Sequence, residues 1–341
     1  IGAINTSIIA GNAPEHRVAK LRSFWDSITN DLPELLPRET GGFAQQMAAT
    51  MSTAASLMLG APQFFGPRVL PPWLSPPGTK EATSFYRTAQ LEETLCAHVD
   101  FDRLNNGDAR VSLGAVNVES GNFTFFDNRS IVLGPEHVMA SGALPPGLPW
   151  VEIAGQKYWD GGLVSNTPLS YVLDHSDTDT LVFQIDLFPA RGKVPQSMID
   201  VEERRKDIVY SSRTRMNTDA FRARHALKLG LQHVLNELPA DKCDDPEIKR
   251  IAALAASHHV SVVHLIYRRE GWAGASKDYE FSRGSMLEHW EAGKADACTT
   301  LASDQWRKPP SDRDAIIVYD IVCDGDPDCR RHIDRLDCFD C

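Results

Sequence analysis

The sequence predicts an α/β layer fold, and three stretches carry that prediction. The run TLVFQIDLF (180–188) has strand length and is almost continuously apolar, as in a buried strand that pairs in parallel with its neighbours. The run VSVVHLIYRR (260–269) predicts a second strand, and the intervening residues 197–238 have the spacing of one or two long helices. Strands that alternate with helices are typical of a sheet covered by helices.

Two helices are predicted at the beginning of the chain. Residues 1–12 read IGAINTSIIAGN, and their small side chains are typical of a helix that lies close to a neighbouring element. Within 14–30, large apolar residues recur at helical spacing, namely Val18, Leu21, Phe24, Trp25 and Ile28. We therefore expect an amphipathic helix to follow the first one.

An uncharged segment comes next. Residues 40–67 contain no charged side chain and lead into the proline-rich run PRVLPPWLSPP (67–77), which is incompatible with regular structure. One interpretation is a buried helix followed by a surface connection. The other is a mobile apolar lid, or a flap that touches a membrane surface.

Short strands and turns are predicted between residues 110 and 175. The stretch RVSLGAVNVESGNFTFFDN (110–128) predicts two strands around a Glu-Ser-Gly-Asn turn. A helix over 135–141, a Pro/Gly break and a short hairpin follow, and then a loop at Asp160 and a helix after Asn166. Asp160 is therefore expected at a loop that connects a hairpin to a helix.

Composition disfavours several classes of protein. The 341 residues carry 35 Lys and Arg against 46 Asp and Glu, and the formal net charge of −11 disfavours nucleic acid as a partner. No apolar run reaches the roughly eighteen residues that span a bilayer. Seven cysteines in a chain of this length suit a reducing compartment better than a disulfide framework. We expect a cytoplasmic protein that can associate with a membrane.

The strongest chemical signal is WDGGLVSNTPL (159–169). Asp160 stands between an aromatic strand end and two glycines, Gly161 and Gly162. Glycine permits backbone angles that other residues resist, so the carboxylate can project into a cleft from a sharp turn. Taken alone, however, Asp-Gly-Gly is simply a good turn.

The first residues change that interpretation, because they fit the second half of a nucleophile elbow. In the pattern Gly-x-Ser-x-Gly, the serine stands on a strained strand-to-helix turn, and the residues after it are small so that the helix packs beside the strand. Ile1 and Gly2 would supply the x-Gly, and residues 3–11 the helix. We therefore expect this sequence to begin directly after a catalytic serine.

These elements, taken in order, resemble the patatin-like phospholipases. The elbow of that family continues as Gly-Ala-x-Asn, which IGAIN (1–5) matches, and its second catalytic residue is the Asp of an Asp-Gly-Gly turn, which corresponds to Asp160. The stretches 116–128 and 139–162 also resemble segments of the family. The resemblance implies a three-layer α/β/α fold with a central, mostly parallel sheet.

The resemblance also implies a domain organisation. Residues 1–190 would form the catalytic domain, without its N-terminal part. Residues 191–310 would form a mainly helical extension packed on it, because SKDYEFSRGSMLEHWEAGKADA (276–297) resembles the C-terminal extension of one bacterial subgroup. Residues 311–341 would add a terminal strand and a cysteine-rich tail.

The function implied by the resemblance is lipid acyl hydrolysis by a Ser-Asp dyad. Asp160 would accept the serine proton during attack on an ester carbonyl, and water would then hydrolyse the acyl-enzyme. The serine would precede Ile1, whose N–H would help to hold the oxyanion, and Gly2, Gly161 and Gly162 would support the loops. No metal or cofactor is implied. The expected partners are an acyl ester and a membrane surface, and this segment alone is expected to be inactive.

Four further interpretations stay open. A Ser-His-Asp hydrolase would use His258 or His259, which precede a predicted strand. A non-catalytic lipid-binding or interaction protein of the same shape would carry another residue at the serine position. A zinc site is conceivable in the tail, with Cys323, Cys329, His332, Cys338 and Cys341 as its candidate ligands. A basic stretch within 204–228 could face anionic headgroups, although a solvated helix face is favoured.

Overall fold

The computed structural model describes residues 1–30, 58–165, 168–176, 178–189, 192, 194–239, 242, 244–255, 258–267, 281–307 and 316–322. The chain divides into two compact units. Unit 1 comprises Ile1–Asn166 and Glu270–His289, and unit 2 comprises Thr167–Arg269 and Trp290–Cys341. The domain boundaries suggested by the family resemblance, at residues 190 and 310, stay a prediction.

Helices and strands alternate along the described residues, which confirms the α/β class. The α-helices are α1 (Gly2–Ala10), α2 (Arg17–Ile28), α3 (Ala89–His98), α4 (Phe101–Asn106), α5 (Pro135–Ser141), α6 (Leu169–Asp174), α7 (Met198–Asn236), α8 (Pro246–Ala252) and α9 (Arg283–Ala302). The strands are β1 (Gly66–Pro67), β2 (Tyr86–Arg87), β3 (Ser112–Asn117), β4 (Phe123–Asp127), β5 (Val151–Ile153), β6 (Gln156–Asp160), β7 (Thr180–Asp186), β8 (Val260–Ile266) and β9 (Ile316–Asp320).

The first two helices form as the sequence predicts, and α1 supplies part of the core of unit 1. Its buried residues are Ala3, Ile4, Ser7 and Ile8, which recur at the three- and four-residue spacing of one helix face. Helix α1 packs against both α2 and α5. A hydrogen bond from Trp25 Nε1 to Asn5 Oδ1 (3.1 Å) joins α1 to α2.

A four-stranded sheet with the order β4-β3-β6-β5 lies in unit 1, and all its pairings are antiparallel. The predicted hairpin around Glu-Ser-Gly-Asn is confirmed as β3 and β4. Short connections of this kind can join only antiparallel strands, because a parallel pair needs a long crossover. The short connections between these strands therefore account for the antiparallel pairing within unit 1.

The parallel strands lie in unit 2, where the order is β7-β8-β9. The prediction that β7 pairs in parallel is confirmed, its partner is β8, and Val260 and Val262 of β8 are fully buried. The prediction that β7 is a buried strand is wrong, because it is buried on one face only. Its apolar residues on the other face remain exposed, namely Leu181, Phe183 and Ile185.

The predicted helical segment within 197–238 is one continuous helix, α7, of 39 residues. Ser197 caps its N-terminus by accepting a hydrogen bond from the N–H of Asp200. In α9, Cys298 is disulfide-bonded, which the sequence analysis did not predict, whereas Cys96 is a free, exposed thiol. Among the described helices, none is long and apolar enough to cross a bilayer.

The uncharged segment is described only at its C-terminal end. The predicted helix or lid within 40–57 lies outside the described residues. The proline-rich run 67–77 forms a surface connection with one 3₁₀ turn at Pro72–Leu74. The part of the prediction that concerns this connection is confirmed.

Burial on α1 leads to a stability prediction with a matched control. Ile8 is fully buried, whereas its neighbour Ile9 is 42% exposed. We expect Ile8→Val to lower the free energy of unfolding by about 1 kcal/mol, because it removes a buried methyl group. Ile9→Val is expected to change it by less than about 0.5 kcal/mol. Urea unfolding followed by circular dichroism measures both, and equal effects would contradict the position of α1 in the core.

Candidate active site

Asp160 is the last residue of β6 and begins a 3₁₀ turn over Gly161–Leu163. Its Oδ1 accepts a hydrogen bond from the N–H of Gly162 (2.7 Å), and its own N–H donates to the carbonyl oxygen of Ala143 (3.0 Å). Pairing of β6 with β3 places Asp160 opposite Ala115. Backbone contacts on both sides therefore hold Asp160 at the end of the strand, and the N–H of Gly162 fixes its carboxylate.

Gly161 is required here by close packing. A Cβ at this position would lie 2.6 Å from the carbonyl oxygen of Gly114 in β3 and 3.3 Å from the ring of Phe123 in β4. The sequence analysis gave these glycines two roles, special backbone angles and support of the loops. At Gly161, which is buried and has no left-handed φ, the structure shows the second role, a close approach of the backbone. The turn after Asp160 lies directly against the backbone of β3.

The start of α1 lies within electrostatic reach of Asp160. The Ile1 side chain is 38% exposed, yet its backbone nitrogen is buried. Burial lowers the pKa of the Ile1 amino group, and the negative charge of Asp160 acts in the opposite direction. The negative charge of Asp160 therefore acts on Ile1, another residue that the sequence analysis selected, although 159 peptide bonds separate the two along the chain.

The close packing of α1 among the described residues does not involve Gly2. A Cβ at Gly2 would meet no heavy atom of the described residues within 4 Å. The close packing of this helix occurs further along, at the buried face of α1 and at Gly11, where a Cβ would lie 2.7 Å from Val99. Asn166 and Thr167, the next part of the motif after Asp160, lie outside the described residues.

Comparison with known protein families identifies the family of this chain. Residues 1–173 match the model of the patatin-like phospholipases, which covers more than half of the chain. The chain belongs to the patatin-like phospholipase family. Residues 208–313 match a second model, described as patatin phospholipase, and this match supports the predicted C-terminal extension. No curated protein matches the chain.

Members of the patatin-like family are, in general, lipid acyl hydrolases, so the chain belongs to that class of enzyme and its substrates are lipids. The family match ends at residue 173, beyond the Asp160 turn. The patatin-like region therefore includes both the start of α1 and the Asp160 turn.

The histidines of the alternative hydrolase prediction lie in unit 2 of the patatin-like chain. The carbonyl oxygen of His258 is 2.9 Å from Nε2 of His225, and the two rings are 4.9 Å apart. The N–H of His259 donates to Asp179 Oδ1 (2.7 Å). Burial lowers the pKa of His225, so its neutral form is favoured. These contacts form a local cluster within unit 2, and the alternative hydrolase stays a prediction.

Sequence reasoning missed two backbone contacts of the patatin-like site. A close approach of the backbone at Gly161 was expected, but its partner, Gly114, was not, and neither was the carbonyl of Ala143, which accepts the N–H of Asp160. Ala143 and Gly114 lie within stretches that carry recognisable patterns, but a single sequence does not indicate which distant backbone atoms meet. The described residues contain no group of three or more His, Cys, Asp or Glu side chains that could hold a metal ion, and the cysteine-rich tail lies outside them.

Proposed function

We propose that this chain supplies the general base of a lipid acyl hydrolase, with Asp160 acting on a serine immediately upstream of Ile1. One observation carries the proposal: Asp160 ends strand β6 at a tight turn, where the N–H of Gly162 fixes its carboxylate at 2.7 Å. The electrostatic effect of Asp160 on the amino group of Ile1 supports the same assignment, because it indicates that the carboxylate acts on the start of α1.

The proposed reaction has two steps. The serine Oγ attacks the ester carbonyl carbon while its proton passes to Asp160, and the ester C–O bond then breaks as the leaving alcohol takes that proton. Water next attacks the acyl-enzyme, gives a proton to Asp160 and releases the fatty acid, after which the proton returns to serine. Because the substrates are lipids, we also propose peripheral contact with a membrane.

The backbone around Asp160 suits this role. Its bond to the N–H of Gly162 keeps one carboxylate oxygen oriented, and the bond to Ala143 holds the main chain in place. A preoriented base does not have to reorganise when the proton moves. The N–H of Ile1, next to the proposed serine, would donate to the developing oxyanion, as N–H groups after the nucleophile do in elbow hydrolases.

A fluorophosphonate probe tests the proposal, since it labels activated serines. We expect labelling of the protein extended upstream of Ile1, on a serine bonded directly to Ile1, and no labelling of residues 1–341 alone. Ser165→Ala, which removes a serine close to Asp160 in the sequence, is a matched control and should leave the labelling unchanged. Another residue before Ile1 would refute the dyad and favour a non-catalytic lipid-binding protein. A label on a different serine would also refute the dyad, but it would favour the alternative hydrolase.

A further inference from the structure

A short loop of unit 1 presents large apolar side chains to solvent. We call residues 69–74 the apolar loop. Val69 is 95% exposed and Trp73 is 75% exposed, and Leu70 and Leu74 are also more than half exposed. Phe85 lies beside them and is 47% exposed. Transfer of side chains of this size out of water lowers the free energy of the system. A cluster of them on a surface therefore indicates a binding site.

The apolar loop stands on an ordered base. Arg68, which precedes it, donates from Nε to the carbonyl oxygen of Ser84 (3.0 Å) and from Nη2 to Ser84 Oγ (2.7 Å). Pairing of β1 with β2 closes the hairpin at Gly66 and Arg87. A groove of about 260 Å³ lies between the apolar loop and the Phe85–Tyr86 segment. The exposed side chains are thus held in place by the chain around them.

Basic residues and a tryptophan lie beside this surface. Lys80 Nζ is 4.8 Å from the centre of the Trp150 ring, and Lys157 Nζ is 5.1 Å from it. The N–H of Tyr86 in β2 donates to the carbonyl oxygen of Gly147 (2.9 Å). This bond joins β2 to the segment that precedes Trp150 and strand β5. Tryptophan and lysine are typical of the interface between a membrane and water.

The local charge is opposite in sign to that of the whole chain. Residues 58–88 and 144–157 contain four basic side chains and two acidic ones, although the chain carries a formal net charge of −11. The basic ones are Arg68, Lys80, Arg87 and Lys157, and the acidic ones are Glu81 and Glu152. Arg68 is almost buried and pairs with Glu81 (3.5 Å), so Lys80, Arg87 and Lys157 form the positive rim beside the exposed apolar side chains. Such a rim matches an anionic lipid surface, in which headgroups and acyl chains lie side by side.

We propose that the apolar loop and Phe85 dock this chain onto an anionic phospholipid bilayer, with Trp150, Lys80 and Lys157 at the level of the headgroups. The inference rests on the proposed function, because a lipid hydrolase has to reach substrate within a membrane. A second copy of this chain fits this surface less well, because a two-fold interface would bring the positive rims of the two copies together.

Vesicle co-sedimentation tests this inference. We expect the chain to bind vesicles of equal parts phosphatidylcholine and phosphatidylglycerol. The double variant Leu70→Ala with Trp73→Ala should bind about tenfold more weakly, because two inserted side chains are truncated. The matched control is Val194→Ala with Leu227→Ala, which truncates residues that are 86% and 74% exposed in unit 2 and should bind like the unaltered chain.

The charge contribution is tested separately. Lys80→Glu with Lys157→Glu should weaken binding to the mixed vesicles by about tenfold, with a smaller effect on vesicles of phosphatidylcholine alone. Unchanged binding of the apolar-loop variant, or no binding by the unaltered chain, would refute the inference. Analytical ultracentrifugation that shows self-association, lost only in the apolar-loop variant, would assign the surface to a second copy and refute it as well.

Failure of the inference and failure of the proposed function give different results. Hydrolysis of a water-soluble p-nitrophenyl ester by the upstream-extended protein does not require a membrane. Vesicle binding without hydrolysis of that ester would uphold the docking surface and refute the proposed function. Hydrolysis of the ester without vesicle binding would uphold the proposed function and refute the docking surface.

Discussion

Asp160→Asn in the upstream-extended protein is expected to lower kcat for a p-nitrophenyl ester by about a thousandfold, as loss of a general base typically does. Asparagine has nearly the same size, and its Oδ1 can still accept the N–H of Gly162, which Asp160 holds at 2.7 Å. The turn should therefore keep its geometry while the group that accepts the serine proton is lost. Steady-state kinetics measure the effect, and circular dichroism checks that the fold is unchanged.

Asp100→Asn is the matched control for that measurement. Asp100 also accepts a backbone hydrogen bond at the start of a helical turn, from the N–H of Arg103 (2.9 Å), and it also belongs to unit 1. Because it has no part in the proposed chemistry, its replacement should leave kcat within about twofold, as expected for a surface change away from the site. Turnover of Asp160→Asn near that of the unaltered protein would rule out Asp160 as the base.

Gly161→Ala is expected to lower kcat/KM by about a hundredfold, since displacing a catalytic group by about 1 Å has effects of that size. A Cβ at Gly161 would lie 2.6 Å from the carbonyl oxygen of Gly114, and two backbone segments cannot both stay in place at that distance. The turn must shift, and Asp160 is bonded directly to it. The free energy of unfolding should also fall, by about 1–3 kcal/mol.

Gly293→Ala provides the comparison for Gly161. Gly293 lies within α9, where a Cβ would meet no heavy atom of the described residues within 4 Å. Alanine favours helix over glycine by about 1 kcal/mol, so this variant should be as stable as the unaltered protein or more so. Equal stability and activity of the two glycine variants would show that the contact of Gly161 with β3 does not position Asp160.

Local patterns in the sequence predicted the individual elements well. Helix α5 spans Pro135–Ser141, as predicted, and α1, the β3–β4 hairpin and β7 form where the sequence patterns predict them. Asp160 does end a strand and enter a turn. Helix periodicity, strand alternation and turn residues act over a few neighbours, so one sequence suffices to identify them.

The sequence by itself determined the α/β class, the order of the elements and the motifs that identify the family. Only the tertiary structure decided how the strands are distributed between an antiparallel and a parallel sheet, and that Gly161 is required by the backbone of β3. It also decided that the charge of Asp160 reaches the start of α1 and that Trp73 and its neighbours stay exposed. These features depend on contacts between residues far apart in the chain, which local propensity does not encode.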